Sequence, residues 1–132
     1  MKSLRIAFLV ATFCILLTGC EKPEGPLFDN SNDPYGTTYL PVRPGILAQQ
    51  LDSASIRVNV YAQDNYTTNV VIERRDGNDL EFKRIIVMPH WPSEYLDKSN
   101  FKSGTFYVYR AAAYAPNGKM SEYSEGYPVR FQ

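Results

Sequence analysis

Hydrophobic and polar positions divide this chain into three stretches of different character. Ile6 to Leu17 form an apolar run broken only by Thr12 and Cys14, with basic Lys2 and Arg5 before it and small residues leading to Cys20 after it. That order is the basic, apolar and cleavage-site order of an export signal, and the run is too short to span a bilayer comfortably. Residues 21–40, EKPEGPLFDNSNDPYGTTYL, hold three Pro, two Gly and a cluster of Asp and Asn, with no periodic apolar positions. Such a segment cannot bury enough surface to fold alone and reads as a spacer, of about 25 Å root-mean-square span as a flexible chain. Tyr39 and Leu40 are expected to lie against the domain that follows, with Phe28 and Tyr35 in solvent.

From Pro41 onward the hydrophobic period falls to two. Ile56-Arg57-Val58-Asn59-Val60 alternates in the manner of a half-buried strand. Val70 to Arg75 reads as another, ended by Asp76-Gly77, a hairpin signal, with Glu81 to Val87 as its partner. Met88-Pro89-His90-Trp91-Pro92 is expected to be a loop, because neither proline can donate to a sheet ladder. Glu94 to Asp97 makes a short strand. Thr105 to Tyr114 makes a long one with Tyr107, Tyr109, Ala111 and Ala113 on one face. Asn117-Gly118 turns the chain, and Tyr127, Val129 and Phe131 alternate along a last strand. About seven short strands with no helical segment between them predict an all-β, antiparallel two-sheet sandwich. The expected layout is a signal over 1–19, an anchor and spacer over 20–40, and one β domain over 41–132.

Composition narrows the possibilities. The chain has 132 residues, and loss of 1–19 leaves 113, enough for one ordinary domain. Its 14 basic and 14 acidic residues become 12 and 14 once Lys2 and Arg5 leave, a balance of about −2 that gives no support to nucleic-acid binding. Cys14 and Cys20 are the two cysteines, so the exported domain would hold no disulfide and must rest on an apolar core. Ten Tyr and seven Phe favour strands.

Two family resemblances follow from short motifs. Leu17-Thr18-Gly19-Cys20 resembles the lipobox of bacterial lipoproteins. The resemblance implies cleavage before Cys20, acylation of its thiol with fatty acid such as palmitate, and acylation of the new amino terminus. Several acyl chains make a stable anchor where one is marginal. Glu21 after the cysteine departs from the aspartate associated with inner-membrane retention in enterobacteria, which leans towards the outer membrane. Separately, Phe101 to Ala113 resembles the Leu-x-Pro-Gly-Thr-x-Tyr-x-x-x-Val-x-Ala run of fibronectin type III domains. The resemblance implies that Tyr107 is a tyrosine corner, its hydroxyl bonded to nearby backbone and its ring in the core. Ile72 to Gly77, Tyr95-Leu96-Asp97 and the Gly118, Ser121, Tyr123, Ser124 series fit the same pattern in the same order. Phe101 and Ser103 replace the usual Leu and Pro, and the second strand lacks the usual tryptophan, with Val60 or Tyr61 in its region.

Candidate chemistry is sparse. His90 is the single histidine, so a His-based metal cluster is ruled out. Glu94, Asp97, Glu122 and Glu125 are spaced as surface and turn residues, and no phosphate-binding or calcium loop is present. No catalytic residue, cofactor or metal is expected. Aromatic residues near turns are the remaining lead: Trp91, Tyr66, Tyr114 and Tyr123 are candidate contacts for a glycan or an envelope protein. Trp91 reads two ways, as a ring presented by a stiff proline-flanked loop or as one folded back over the sheet edge. Asp52-Ser53-Ala54 resembles an acceptor for bacterial O-glycosylation and is equally ordinary turn chemistry. The expected function is a lipid-anchored, non-catalytic binding or adhesion module of the cell envelope, or alternatively a structural accessory subunit or spacer of an outer-membrane assembly.

Overall fold

Seven strands form among residues 30–132, the part of the chain that the computed structural model describes. The expected export signal, Cys20 and Phe28 lie outside the described residues. In chain order the strands are β1 (Gly45–Asp52), β2 (Ser55–Tyr61), β3 (Asn69–Asp76), β4 (Lys83–Pro89), β5 (Glu94–Asp97), β6 (Phe106–Tyr114) and β7 (Tyr127–Arg130). They make two antiparallel sheets, β1-β2-β5 and β4-β3-β6-β7.

The period-two pattern explains which faces meet. Ile56, Val58 and Val60 on β2, Val70 and Ile72 on β3, and Tyr107, Tyr109 and Ala111 on β6 are buried in one cluster with Ala48, Val129 and Phe131. Val60 fills part of the missing-tryptophan region, while Tyr61 points out. On the opposite face of the four-stranded sheet, Val71 and Ala112 pair directly and are buried as well. That sheet is therefore covered on both faces near its middle.

A polar bridge ties the sheets together within the core. Asp97 on β5 is 1% exposed and accepts hydrogen bonds from Arg74 Nη1 on β3 at 2.7 Å and Tyr109 Oη on β6 at 2.9 Å. Its other oxygen accepts from Ser99 Oγ at 2.6 Å and from the Ser99 amide at 3.1 Å. A buried carboxylate is tolerated only when its lone pairs are filled in this way. Burial opposes the Arg74 charge, and the bond and charge of Asp97 outweigh that, so its pKa is raised. Burial, with the charge of Asp97, pushes the Tyr109 phenol far above its ordinary range. The expectation that Asp97 is a surface or turn carboxylate is thus corrected.

Below the bridge, Phe101 stacks on Phe131 at 4.8 Å between ring centres and meets Tyr107 edge-on at 4.9 Å. Tyr107 Oη accepts the Lys102 amide at 2.8 Å, which is the tyrosine corner. Phe101 therefore takes the Leu position with a larger ring, and Arg74 lies over both Phe101 and Tyr107. Gly104 and Gly118, at φ of 80° and 79°, occupy turns that favour glycine.

Two boundaries differ from the sequence expectation. In the β3–β4 connection Asp79 N–H donates to Asp76 carbonyl, and β4 starts at Lys83 rather than Glu81. Gly77 serves there because a Cβ would stand 2.9 Å from the Phe106 carbonyl oxygen. At the other end β4 runs on through Met88 and Pro89, where a loop was expected. Pro89 pairs with Asn69 on an edge strand, a place where a missing N–H costs no ladder bond.

Candidate functional site

The loops divide between two ends of the sandwich. The β2–β3, β4–β5 and β6–β7 connections gather at one, here called the loop end. There Thr68 N–H donates to Tyr114 carbonyl at 2.8 Å, His90 N–H to Thr68 carbonyl at 3.2 Å, and Val60 N–H to Ser93 carbonyl at 2.8 Å. The chain also enters the domain at this end. Asn117 Nδ2, in the β6–β7 loop, donates to the carbonyls of Gly36 at 2.7 Å and Tyr39 at 3.0 Å. The Tyr39 ring is buried edge-on to Tyr66 at 6.1 Å, and Asp64 accepts the amides of Val42 at 2.8 Å and Tyr66 at 2.9 Å. Burial raises the Asp64 pKa, but these N–H donors outweigh it and the net shift is downward. Of the pair expected to lie against the domain, Tyr39 does so and Leu40 does not, being 63% exposed.

Two candidate contact residues stand at this end. Trp91, between β4 and β5, is 77% exposed, so its ring does not fold back over the sheet edge. Tyr66, between β2 and β3, is 50% exposed although its other edge meets Tyr39. Tyr35 in the entering segment is 76% exposed.

Tyr114 and Tyr123 belong to a different surface, the outer face of the four-stranded sheet. Tyr114 shares that face of β6 with Ala112 and Arg110. Arg110 donates Nε and Nη2 to Glu73 Oε2 at 2.9 and 2.7 Å, with its guanidinium centre 4.0 Å from the ring centres of both Phe82 and Tyr123. Tyr123 donates its hydroxyl to Glu73 Oε1 at 2.6 Å, and its pKa is raised by burial and by that bond. Arg84 sits against the Tyr123 hydroxyl and within electrostatic reach of Tyr114, and both raise its pKa. Phe82 thus packs outside the core, as a floor for Arg110 and Arg75. No hydrophobic period signals this cluster, because its members come from β3, β4, β6 and two loops. The Ser121 and Ser124 hydroxyls hold the β6–β7 segment in place by accepting the Ala113 and Ala111 amides at 2.9 Å.

The chemistry available to these surfaces is contact chemistry. Among the described residues no three His, Cys, Asp or Glu side chains come together as metal ligands. A groove of about 500 Å³ runs between β1 and β7, lined by Gln49, Leu51 and Arg130 among others, and a second of about 520 Å³ continues past Gly45 and Gly126. None of the four candidate aromatic residues lines either. At Asp52-Ser53-Ala54 the Asp52 carboxylate accepts the Ala54 amide at 2.8 Å, the turn chemistry expected of that triplet.

Comparison with known sequence families gives no match, and comparison with curated proteins gives none either. Solved structures do match. The fourth FNIII domain of a human protein aligns at a TM-score of 0.54 and 24% identity, covering 70% of this chain and 77% of that one. A Fn3-like protein from Clostridium thermocellum aligns at 0.57 and 18% identity, covering 70% and 94%. The fold is that of fibronectin type III domains. A pectate lyase from Erwinia chrysanthemi also aligns, at 0.57 and 13% identity, but over 28% of its own length. At such identities the likeness extends to the fold, which hosts many functions.

Proposed function

We propose that this chain is a lipid-anchored, non-catalytic lipoprotein of the outer membrane, held through Cys20, whose fibronectin type III-like domain binds a polysaccharide or an envelope protein. The observation that carries the binding reading is the set of rings left outside a well-filled core. Tyr114 and Tyr123 lie half-buried on the outer face of the four-stranded sheet with Arg84 and Arg110, apart from the exposed Trp91 and Tyr66 of the loop end. Tyr, Trp and Arg are the residue types that dominate binding energy at protein contacts. The anchor reading is supported by the lipobox-like motif.

Two experiments test this. Cells fed radiolabelled palmitate should label the wild-type chain and not Cys20→Ala; an unlabelled wild type rejects the anchor. In-cell cross-linking followed by Tyr114→Ala should lose one partner while the melting temperature hardly moves. Capture in fixed stoichiometry with blank glycan arrays would instead assign the chain to the accessory-subunit role.

A further inference from the structure

The loop end leaves apolar and aromatic side chains in solvent. We infer that Trp91, Tyr66, Tyr35 and Leu40 seat the domain on the lipid surface that carries its anchor, so that the sandwich lies loop end down on the bilayer. This rests on the anchored reading above and adds an orientation and a partner surface to it.

Three observations converge. First, the chain enters at the loop end and is fastened there, by Asn117 to Gly36 and Tyr39 and by Asp64 to Val42. Asn30 follows Cys20 by ten positions, so even full extension keeps Asn30 within about 35 Å of the anchor. Second, the opposite end stands one strand length further away, roughly 25 Å for the eight-residue β3 at about 3.3 Å per residue. Third, the exposed side chains are of the interfacial type. Trp and Tyr rings concentrate where one side of a ring is apolar and the other wet, at headgroup depth, and Leu supplies insertion without charge. Trp91 and Leu40 come from separate segments, β4–β5 and the entry strap, yet reach the same end.

The contact need not be strong. A short tether holds the domain at an effective concentration near millimolar, so a weak surface affinity keeps it docked. Because insertion is apolar, raising the salt concentration should leave docking in place, unlike attraction to anionic headgroups.

The test uses the chain's single tryptophan and the single thiol left after residue 19. The chain beginning at Cys20 is coupled through that thiol to a maleimide lipid in phosphatidylcholine vesicles containing one-fifth phosphatidylglycerol. The thioether replaces natural acylation, so the outcome does not depend on whether cells acylate Cys20. Trp91 emission should move to shorter wavelength, be quenched by dibrominated phosphatidylcholine and lose access to iodide. The paired control is Trp91→Phe with Leu80→Trp, which places the only tryptophan at the opposite tip, where Leu80 is 95% exposed. That reporter should keep long-wavelength emission, iodide access and immunity to brominated lipid, with circular dichroism confirming both folds. Trp91 remaining iodide-accessible on the vesicle, or both reporters being quenched alike, would overturn the orientation. So would loss of glycan or protein retention by Trp91→Ala alongside an unquenched Trp91, which would give the loop end to that ligand. Failure of palmitate labelling, by contrast, removes the natural anchor and leaves this readout unchanged.

Discussion

The two ends of the sandwich spend their aromatic side chains differently. At the end below the Asp97 bridge, Phe101, Tyr107 and Phe131 pack on one another, Arg74 covers two of them, and the Tyr107 hydroxyl is bonded. At the loop end Tyr39 alone is buried, while Trp91 and Tyr66 face solvent. Folding explains the first group completely, since each ring removes apolar area from water and the one polar atom among them, the Tyr107 hydroxyl, is bonded. It does not explain the second. Leu80, Leu51 and Phe106 show that the packed end also exposes apolar side chains, but the first two are aliphatic and Phe106 keeps Arg130 over its face. Exposure of several rings at the point where the chain enters is what separates the ends.

Breaking the packed end should cost the most. Asp97→Ala leaves the Arg74 guanidinium and the Tyr109 hydroxyl without their shared acceptor inside the core. A loss of about 3–5 kcal/mol is expected from stranding a buried partner, and a fall in melting temperature on the order of 20 °C, read by calorimetry. Tyr107→Phe keeps the ring and removes only the acceptor for the Lys102 amide, so it should cost about 1–3 kcal/mol in denaturant unfolding.

At the loop end the changes should be smaller and local. Asn117→Ala removes both clasps on the entry segment, so limited proteolysis should cut within residues 30–40 faster while global stability falls by about 1 kcal/mol. Acid should loosen the same end. The folded-state pKa of Asp64 lies below its ordinary 3.8, so its contribution is fully present above 3.8 and is lost as pH falls through the lowered value. Amide exchange at Val42 and Tyr66 should therefore accelerate below about pH 4, after correction for intrinsic rates, before the Lys102 amide responds. Equal loss of protection at both ends would erase the distinction. Trp91→Ala should shift stability least, within about 0.5 kcal/mol, as for surface residues generally.

The packed end was largely legible in the sequence. Alternation over Ile56 to Val60 and over Tyr107 to Ala113 marks the inward faces, and Gly104-Thr105-Phe106-Tyr107 marks the tyrosine corner. Asp97 was misplaced because a carboxylate at a strand end looks the same whether water or an arginine from another sheet satisfies it. The start of β4 was misread because Phe82 continues the apolar pattern, although it packs on Arg110 outside the core. The Arg110–Glu73–Tyr123 cluster was invisible for a related reason: residues 37 and 50 positions apart meet through strand pairing, and no local period records that. The prolines around Trp91 mark its ring as a candidate contact, but nothing local to them decides whether it faces water or the sheet edge.

Fluorescence of the free domain addresses the difference between the ends most directly, because the chain has one tryptophan. Trp91 should emit at the long wavelength of a water-facing indole, be quenched fully by iodide, and do so in a domain whose melting is unchanged by Trp91→Ala. A short-wavelength, iodide-shielded emission, with stability lost on truncation, would mean that this ring belongs to the core and that the loop end presents no contact surface.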